Sequence, residues 1–262
     1  MLYQKIKRAY EMLQRRCAID PRLPAGDTEL DYDDVKYVAA IVMFWLLDIQ
    51  YDMPMRDPIY GSWLKTYRER IDPYPILEEA RGGRMKLRRL MDLLYFQLVG
   101  ETPKSVYCFG EKTPSNTLCS RWILSTHPEA KAIVITRNPY KNIASIYNRS
   151  FPLHDLDYAI TVFNDFYKHI VALKGDERVF FVRYEDVIHD RVATGDAIFA
   201  FLGLPGHALE ERFTPILRGE YTGSVVTTEK DRKLGEVFSA TQTATIRERC
   251  RPILERFYPE LA

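Results

Sequence analysis

Apolar side chains recur at helical spacing through the first hundred residues. One stripe near the start consists of Leu2, Ile6, Tyr10 and Leu13. It predicts a helix that ends near Asp20-Pro21, where a loop rich in Pro, Gly and Asp begins. Further breaks are predicted at 52–58, at Pro73-Tyr74-Pro75 and at Gly100, with one continuous helix over 81–99. Residues 1–104 are therefore expected to be mainly helical.

From residue 105 onwards, short apolar runs alternate with amphipathic stretches. Strands are predicted at 106–110, 132–135 and 178–182, and helices at 117–126, from Pro139, and at 156–173, 196–202 and 241–257. This alternation predicts an α/β fold with a parallel, doubly wound sheet flanked by helices. The run 132–135 is β-branched and unbroken, which is typical of a strand buried on both faces. We expect one domain over 1–262, helical over 1–104 and α/β over 105–262.

Residues 132–149 join a strand to a helix through a tight turn. Asn138 is a good N-cap, and Pro139 suits the first helical position because its N–H is not needed there. Arg137 lies at the end of the strand, where an anion above the carboxyl edge of a sheet would bind. A polar stripe follows on the helix, formed by Asn138, Asn142, Ser145 and Arg149. The stretch predicts either a phosphate site at a helix N-terminus or an ordinary strand and capped helix.

The overall charge argues against a nucleic-acid partner. Lys and Arg number 37 and Asp and Glu 36, for a formal net charge of +1, so any anionic ligand needs a local cluster of cations. One such cluster consists of Arg81, Arg84, Lys86, Arg88 and Arg89. It could hold an acidic substrate or form a solvated helix face.

Cysteine usage and the N-terminus bound the class of protein. The four cysteines match no CxxC metal or redox spacing and are expected to be reduced thiols. The N-terminus has no apolar signal core, and the apolar run 38–47 is about half the length of a membrane span. The sequence thus predicts a soluble, cytoplasmic protein without a membrane span, and no pattern in it predicts an oligomeric state.

Three short stretches carry a resemblance to a known family. They are FGEKTPSN at 109–116, TRNP at 136–139 with Ser145 after it, and VRYEDV at 182–187 with FAFLGLP at 199–205. In this order they resemble the sulfotransferase family, whose donor is 3′-phosphoadenosine-5′-phosphosulfate (PAPS). The similarity lies with bacterial and carbohydrate-type members and spans residues 105–262. It implies a P-loop-kinase-like α/β fold and transfer of a sulfonate group to a carbohydrate or small-molecule hydroxyl.

The resemblance also implies roles for individual residues. Arg137 and Ser145 would grip the 3′-phosphate of PAPS and of the product 3′,5′-adenosine bisphosphate (PAP), and no metal is implied. Lys112 and Glu111 would lie along the acceptor cleft, Lys112 as the electrophilic cation unless it binds a helix end. The stretch 230–235 resembles a basic segment that folds over the nucleotide, which adds Arg232 and Lys233, although an exposed charged loop would look the same. The YED stretch is expected to pin a loop to the sheet.

The catalytic base is expected to be a carboxylate. Some members of the family use a histidine that precedes the KTP stretch, but no histidine precedes His127 here. The candidates are therefore Glu111, Asp27 and Glu29, each of which could also be a solvated surface acid.

One element of the family pattern has no counterpart. No loop of the RSGTT or KTGTT type is present to cradle the 5′-phosphosulfate, and no Walker A sequence is present either, which disfavours an ATP-dependent kinase. A strand–loop–helix unit of roughly 30–40 residues is expected to be missing upstream, either from a shortened chain or from a degenerate member. The alternatives to a sulfotransferase are a non-catalytic member that binds a nucleotide or a protein partner, and a nucleotide phosphotransferase.

Overall fold

The architecture is described here for the residues that a computed structural model places, namely 2–17, 25–52, 69–99, 110–112, 114–148, 154–204 and 236–262. These residues divide into two units, Met1–Ala130 and Lys131–Ala262. The first unit is mainly helical, and the second contains a parallel strand pair with helices. Of the strand predicted at 106–110, residues 106–109 lie outside the described residues. The single-domain organisation stays a prediction.

The described part of the first unit consists mainly of helices, with one short antiparallel strand pair. The helices are α1 (Leu2–Cys17), α2 (Tyr32–Asp52), α3 (Pro73–Arg81), α4 (Leu87–Val99) and α5 (Ser120–Thr126), and the strands are β1 (Glu29–Leu30) and β2 (Met85–Lys86). The register pairs Glu29 with Lys86 and Leu30 with Met85. All four residues of the predicted apolar stripe on α1 are buried in the core of this unit. The mainly helical character of this region is therefore confirmed.

The break predicted at Pro73-Tyr74-Pro75 lies between the helical residues 69–70 and α3, which begins at Pro73. Asp72 is the N-cap, and its carboxylate accepts from the Tyr74 N–H at 3.0 Å. Proline fits there because the first helical N–H groups have no intrahelical partner. The predicted helix over 81–99 is interrupted, because Gly82 caps α3 and Gly83 has a φ of 152°. Only glycine adopts such a conformation at little cost, so the chain turns into β2 before α4 begins.

The second unit contains the parallel pair. Strand β3 (Ala132–Thr136) pairs with β4 (Val179–Arg183), with Ala132 opposite Val179 and Thr136 opposite Arg183. The helices are α6 (Pro139–Tyr147), α7 (Leu156–Val171), α8 (Tyr184–His189), α9 (Arg191–Leu202), α10 (Ala240–Arg249) and α11 (Arg251–Phe257). Two helices connect the parallel strands, which is the crossover that an α/β sheet requires. The predicted α/β fold class is confirmed.

The core of this unit lies on one face of the strand pair. Val134 and Phe181 pack against a cluster that includes Ile160, Phe163 and Tyr258. On the other face Phe180 stacks on Phe201 of α9, with ring centroids 5.2 Å apart. Burial of β3 on both faces was predicted wrongly, because Ile133 and Ile135 are 37% and 59% exposed.

The C-terminal helix is divided where a single one was predicted. Helix α10 ends at Arg249, and α11 restarts with Pro252 in its first turn. Proline cannot donate to the preceding turn, so a helix that reaches it must restart there. None of the helices that the structure describes is long and apolar enough to cross a membrane.

We predict that Gly26→Ala destabilises the first unit. Gly26 lies in the 3-10 turn Ala25–Asp27 and is buried against the carbonyl of Thr126, which a Cβ would overlap. Because the obstacle is backbone, the substitution is expected to cost about 3 kcal/mol of unfolding free energy, measured by denaturant titration. Gly110→Ala is the control, since a Cβ there would meet no atom of the described residues within 4 Å. Equal stability of the two variants would contradict the prediction.

Candidate functional site

The turn between β3 and α6 has the local structure that its sequence predicts. Asn138 is the N-cap of α6, and its Oδ1 accepts from the N–H of Tyr140 at 3.0 Å and of Lys141 at 3.4 Å. Pro139 is the first residue of the helix. Arg137 follows directly after the last residue of β3, at the carboxyl edge of the strand pair.

The backbone donors of this turn are already occupied. The Arg137 N–H donates to the Tyr167 hydroxyl at 3.0 Å, and the Asn138 N–H donates to Oε1 of Glu185 at 2.9 Å. The next N–H groups along the helix donate to the Asn138 side chain. An anion therefore cannot be cradled by these backbone groups as the sequence suggested, and any anion here must be held by side chains.

The Arg137 side chain is half-buried and lies against an aromatic ring. Its guanidinium carbon is 4.7 Å from the centroid of Tyr184, the first residue of α8. Such stacking orients a guanidinium while its N–H groups around the edge of the plane stay able to donate. Because Thr136 pairs with Arg183, the residues that follow each of them lie at the same edge of the strand pair.

Ser145 lies on α6 two turns beyond the N-cap and is half-buried. Its hydroxyl has no hydrogen-bond partner among the residues that the structure describes. It is seven residues after Asn138 and so projects from the same side of the helix. Arg137 and Ser145 are thus both placed on the β3–α6 segment, whereas Arg149, Arg232 and Lys233 lie outside the described residues.

Tyr167 fastens the turn from α7. Besides accepting from the Arg137 N–H, its hydroxyl donates to the Arg137 carbonyl at 3.2 Å, and Asn142 is a further side-chain partner. Burial raises the pKa of Tyr167 to about 12, so the phenol remains protonated and able to donate near neutral pH. The sequence predicted no role for Tyr167, because Tyr167 lies 30 residues from the turn and no local pattern connects the two.

Glu185 and Tyr258 complete the support of the turn. The second oxygen of Glu185 is 3.2 Å from the Tyr258 hydroxyl, which is also 3.4 Å from Oγ1 of Thr136. Tyr258 is fully buried, and burial raises its pKa above the usual value. The expectation that the YED stretch pins a loop to the sheet is met by Glu185, but the part played by Tyr258 was missed.

In the first unit, Glu111 and Lys112 differ in their surroundings. Glu111 is half-buried and accepts a hydrogen bond from the Asn116 side chain. Burial, and secondarily the charge of Glu111, raise the pKa of Tyr3. Lys112 is exposed and has neither a hydrogen bond nor an ion pair among the described residues, so no helix end is seen to hold it.

The cationic cluster of the first unit is balanced by acids. Lys86 and Arg88 lie 3.2 and 3.6 Å from Asp27, and Arg84 lies 3.5 Å from Glu29. Two more pairs are Arg89 with Glu79 and Arg81 with Glu78. A surface cleft of about 330 Å³ is lined by Arg84, Lys86, Arg88 and Arg89 together with Glu79 and Asp92. Because the pairs are exposed and four acids offset most of the charge of the five cations, the cluster is mainly a solvated, ion-paired face.

The sequence did not predict the polar contact between His127 and Asp92 in this unit. Nε2 of His127 is 3.2 Å from Oδ1 of Asp92, while its Nδ1 is buried and has no hydrogen-bond partner among the described residues. His127 is the C-cap residue of α5, and its backbone N–H donates to the Ile123 carbonyl at 2.9 Å. Among the described residues, no group of three His, Cys, Asp or Glu side chains is arranged to hold a metal ion.

Comparisons with known proteins give one family. The family model described as "Sulfotransferase family" matches residues 47–208, which is more than half of the chain. No curated protein matches the chain. Among solved structures, the chain is similar to a "Sulfotransferase Domain from the Curacin Biosynthetic Pathway" at 17% identity and a TM-score of 0.38, with 55% of each chain covered. The chain therefore spans about half the length of that solved structure.

We predict that Asn138→Ala destabilises the second unit by about 1 kcal/mol, because it removes the acceptor for two N–H groups of α6. Chemical denaturation followed by circular dichroism measures the loss. Asn148→Ala is the matched control, because Asn148 is exposed at the other end of the same helix. A loss of equal size in both variants would show that the cap contributes nothing special.

Proposed function

Because the chain belongs to the sulfotransferase family, we propose that it transfers a sulfonate group from PAPS to a hydroxyl of a carbohydrate or small-molecule acceptor. The observation that carries this proposal is the arrangement at the end of β3. There Arg137 stacks on Tyr184, and Ser145 presents its hydroxyl from the following helix.

These side chains suit the 3′-phosphate of PAPS. An Arg fork forms two parallel charge-assisted hydrogen bonds with a phosphate, and a serine hydroxyl donates a third. The positive end of the α6 dipole adds a favourable field, even though the backbone N–H groups of the turn are engaged elsewhere. The nucleotide product keeps the 3′-phosphate, so PAP is a suitable probe of the same contacts.

Transfer requires three changes, two at the sulfur atom and one at the acceptor hydroxyl. The acceptor oxygen forms a bond to sulfur, the bond from sulfur to the phosphate oxygen breaks, and the proton of the acceptor hydroxyl passes to a base. In this proposal Lys112 neutralises the charge that develops on the leaving oxygen, and Glu111 takes the proton. Both roles come from the resemblance of the EKTP stretch to the family pattern.

A second candidate function has its own support in the sequence. No stretch of the RSGTT or KTGTT type is present to cradle a 5′-phosphosulfate. A family member without such a loop could bind a nucleotide or a protein partner and transfer nothing. In that case PAP binding through Arg137 would persist and turnover would be absent. A nucleotide phosphotransferase, the third possibility, would use ATP as donor.

We predict that the chain binds PAP and that Arg137→Ala weakens binding at least about 30-fold, since a phosphate loses its bidentate partner. Isothermal titration with PAP measures this. Arg137→Lys should recover only part of the affinity, because an ammonium is a point charge without the fork. Arg249→Ala is the control, because Arg249 forms an exposed ion pair with Asp157 elsewhere in the same unit.

The titration has two results that would overturn the donor-site assignment. One is the absence of PAP binding by the unaltered chain. The other is binding that Arg137→Ala leaves unchanged relative to Arg249→Ala.

We predict that Lys112→Ala lowers turnover by about 100-fold, as expected for loss of one group that stabilises charge in the transition state, while the Kd for PAP stays within about twofold. Glu111→Gln should lower turnover as well, because an amide cannot take up the proton of the acceptor hydroxyl. The assay follows transfer of labelled sulfonate from PAPS to a panel of glycans and simple alcohols, with Lys86→Ala as the control. Binding of PAP without transfer to any acceptor would favour the non-catalytic reading, and transfer of label from ATP alone would favour the phosphotransferase.

A further inference from the structure

The C-terminal end of the chain contributes a buried contact to the turn that carries Arg137. Tyr258 follows α11 directly and is fully buried in the core of the second unit. Its hydroxyl reaches Glu185 at 3.2 Å and Thr136 at 3.4 Å. Tyr258 lies outside the matched family region, residues 47–208, so the family assignment says nothing about it.

The Tyr258 hydroxyl has one hydrogen to give, and the carboxylate is the stronger acceptor. A hydrogen bond to an ionised carboxylate is shorter and stronger than one between neutral groups. With that hydrogen directed to Oε2 of Glu185, the other carboxylate oxygen accepts from the Asn138 N–H at 2.9 Å. The carboxylate is thereby held from both sides, by the C-terminal tyrosine and by the backbone of the turn.

The ring of Tyr258 is held in place as well. The guanidinium carbon of Arg183 is 4.5 Å from its centroid, and the same guanidinium forms an ion pair with Glu260 in the last turn, Pro259–Leu261. Arg183 is the last residue of β4 and pairs with Thr136. The end of the chain is therefore bound to the same strand ends that place Arg137 and Tyr184.

We propose that Tyr258 and Glu185 are positioning residues for the donor nucleotide, and that the C-terminal turn thereby sets the affinity of the Arg137 site. This inference rests on the proposed function. Neither residue needs to touch the nucleotide. Together they fix the Asn138 backbone and, through it, the direction in which Arg137 leaves β3. When the cation of a site is already fixed in the free protein, ligand binding costs less side-chain conformational entropy.

The experiment compares the Kd for PAP in Tyr258→Phe with that of the unaltered chain. The variant keeps the ring and loses one hydrogen bond to a carboxylate, so the Kd should rise by about threefold to tenfold. Tyr10→Phe is the matched control. Tyr10 is equally buried and its hydroxyl lies 2.7 Å from Oγ1 of Thr28, but it belongs to the first unit. It should lose comparable thermal stability with no change in the Kd.

A second pair of variants covers the case in which Tyr258→Phe does not fold. Glu185→Gln keeps a carbonyl oxygen that can accept from the Asn138 N–H, whereas Glu185→Leu has none. The Kd should therefore rise more in the leucine variant, and amide exchange in a peptide spanning 137–141 should be faster there than in the glutamine variant.

The outcomes separate this inference from the function on which it rests. Failure of the unaltered chain to bind PAP overturns both. Binding that depends on Arg137, but has the same Kd in Tyr258→Phe as in Tyr10→Phe, overturns the positioning role alone. Equal Kd values for Glu185→Gln and Glu185→Leu do the same.

Discussion

The hydrogen bond from the Asn138 N–H to the Glu185 carboxylate, 2.9 Å long, is the contact on which the second unit's candidate site depends. It joins the turn after β3 to the helix that follows β4. Parallel strands bring their carboxyl ends to one edge, but nothing in the strand pairing fixes the chain beyond that edge. The Glu185 carboxylate fixes the chain there, and its negative charge is favourable near the positive, N-terminal end of the α6 dipole. Arg137 stands between the strand and this fixed point, so its position is determined from both sides.

That arrangement changes how an anion would be recognised. At many helix N-termini the free N–H groups bind the ligand directly. Here those groups are satisfied within the protein, by Tyr167, Glu185 and the Asn138 side chain. An anion bound at this turn would therefore contact side chains. The planar guanidinium of an arginine can donate two parallel hydrogen bonds to two oxygens of a phosphate.

The first unit has the opposite electrostatic character. Its cluster of cations resembled a binding surface in the sequence, yet four acids neutralise most of it, two of them, Asp27 and Glu29, distant in the chain. Asp27 and Glu29, which were candidates for the catalytic base, are the partners of those cations. Glu111 contacts Asn116 and lies near Tyr3, while Lys112 projects into solvent. The lysine of the EKTP stretch therefore forms no ion pair among the described residues. In this it differs from the cations of the arginine-rich face.

The sequence by itself determined the features that depend on neighbours along the chain. The stripe on α1, the Asn138 cap with Pro139 after it, the strand 132–135 and the α/β order were all readable, because periodicity and capping act over a few residues. The motifs at 136–145 and 182–187 also indicated the family, because each motif lies in one continuous segment of the sequence.

Tertiary structure decided the rest, because contacts between distant residues leave no local pattern. Which group accepts from Asn138, which hydroxyl holds Arg137, and which acids neutralise the basic face could be seen only in the folded chain. The exposure of Ile135 belongs to the same class, since it reflects what packs nearby. The break at Gly83 does not, because the pair Gly82-Gly83 is a local turn signal. Tyr258, which lies 122 residues from Thr136 in the chain, is the clearest case. The contact of its hydroxyl with Glu185 can be seen only in the folded chain.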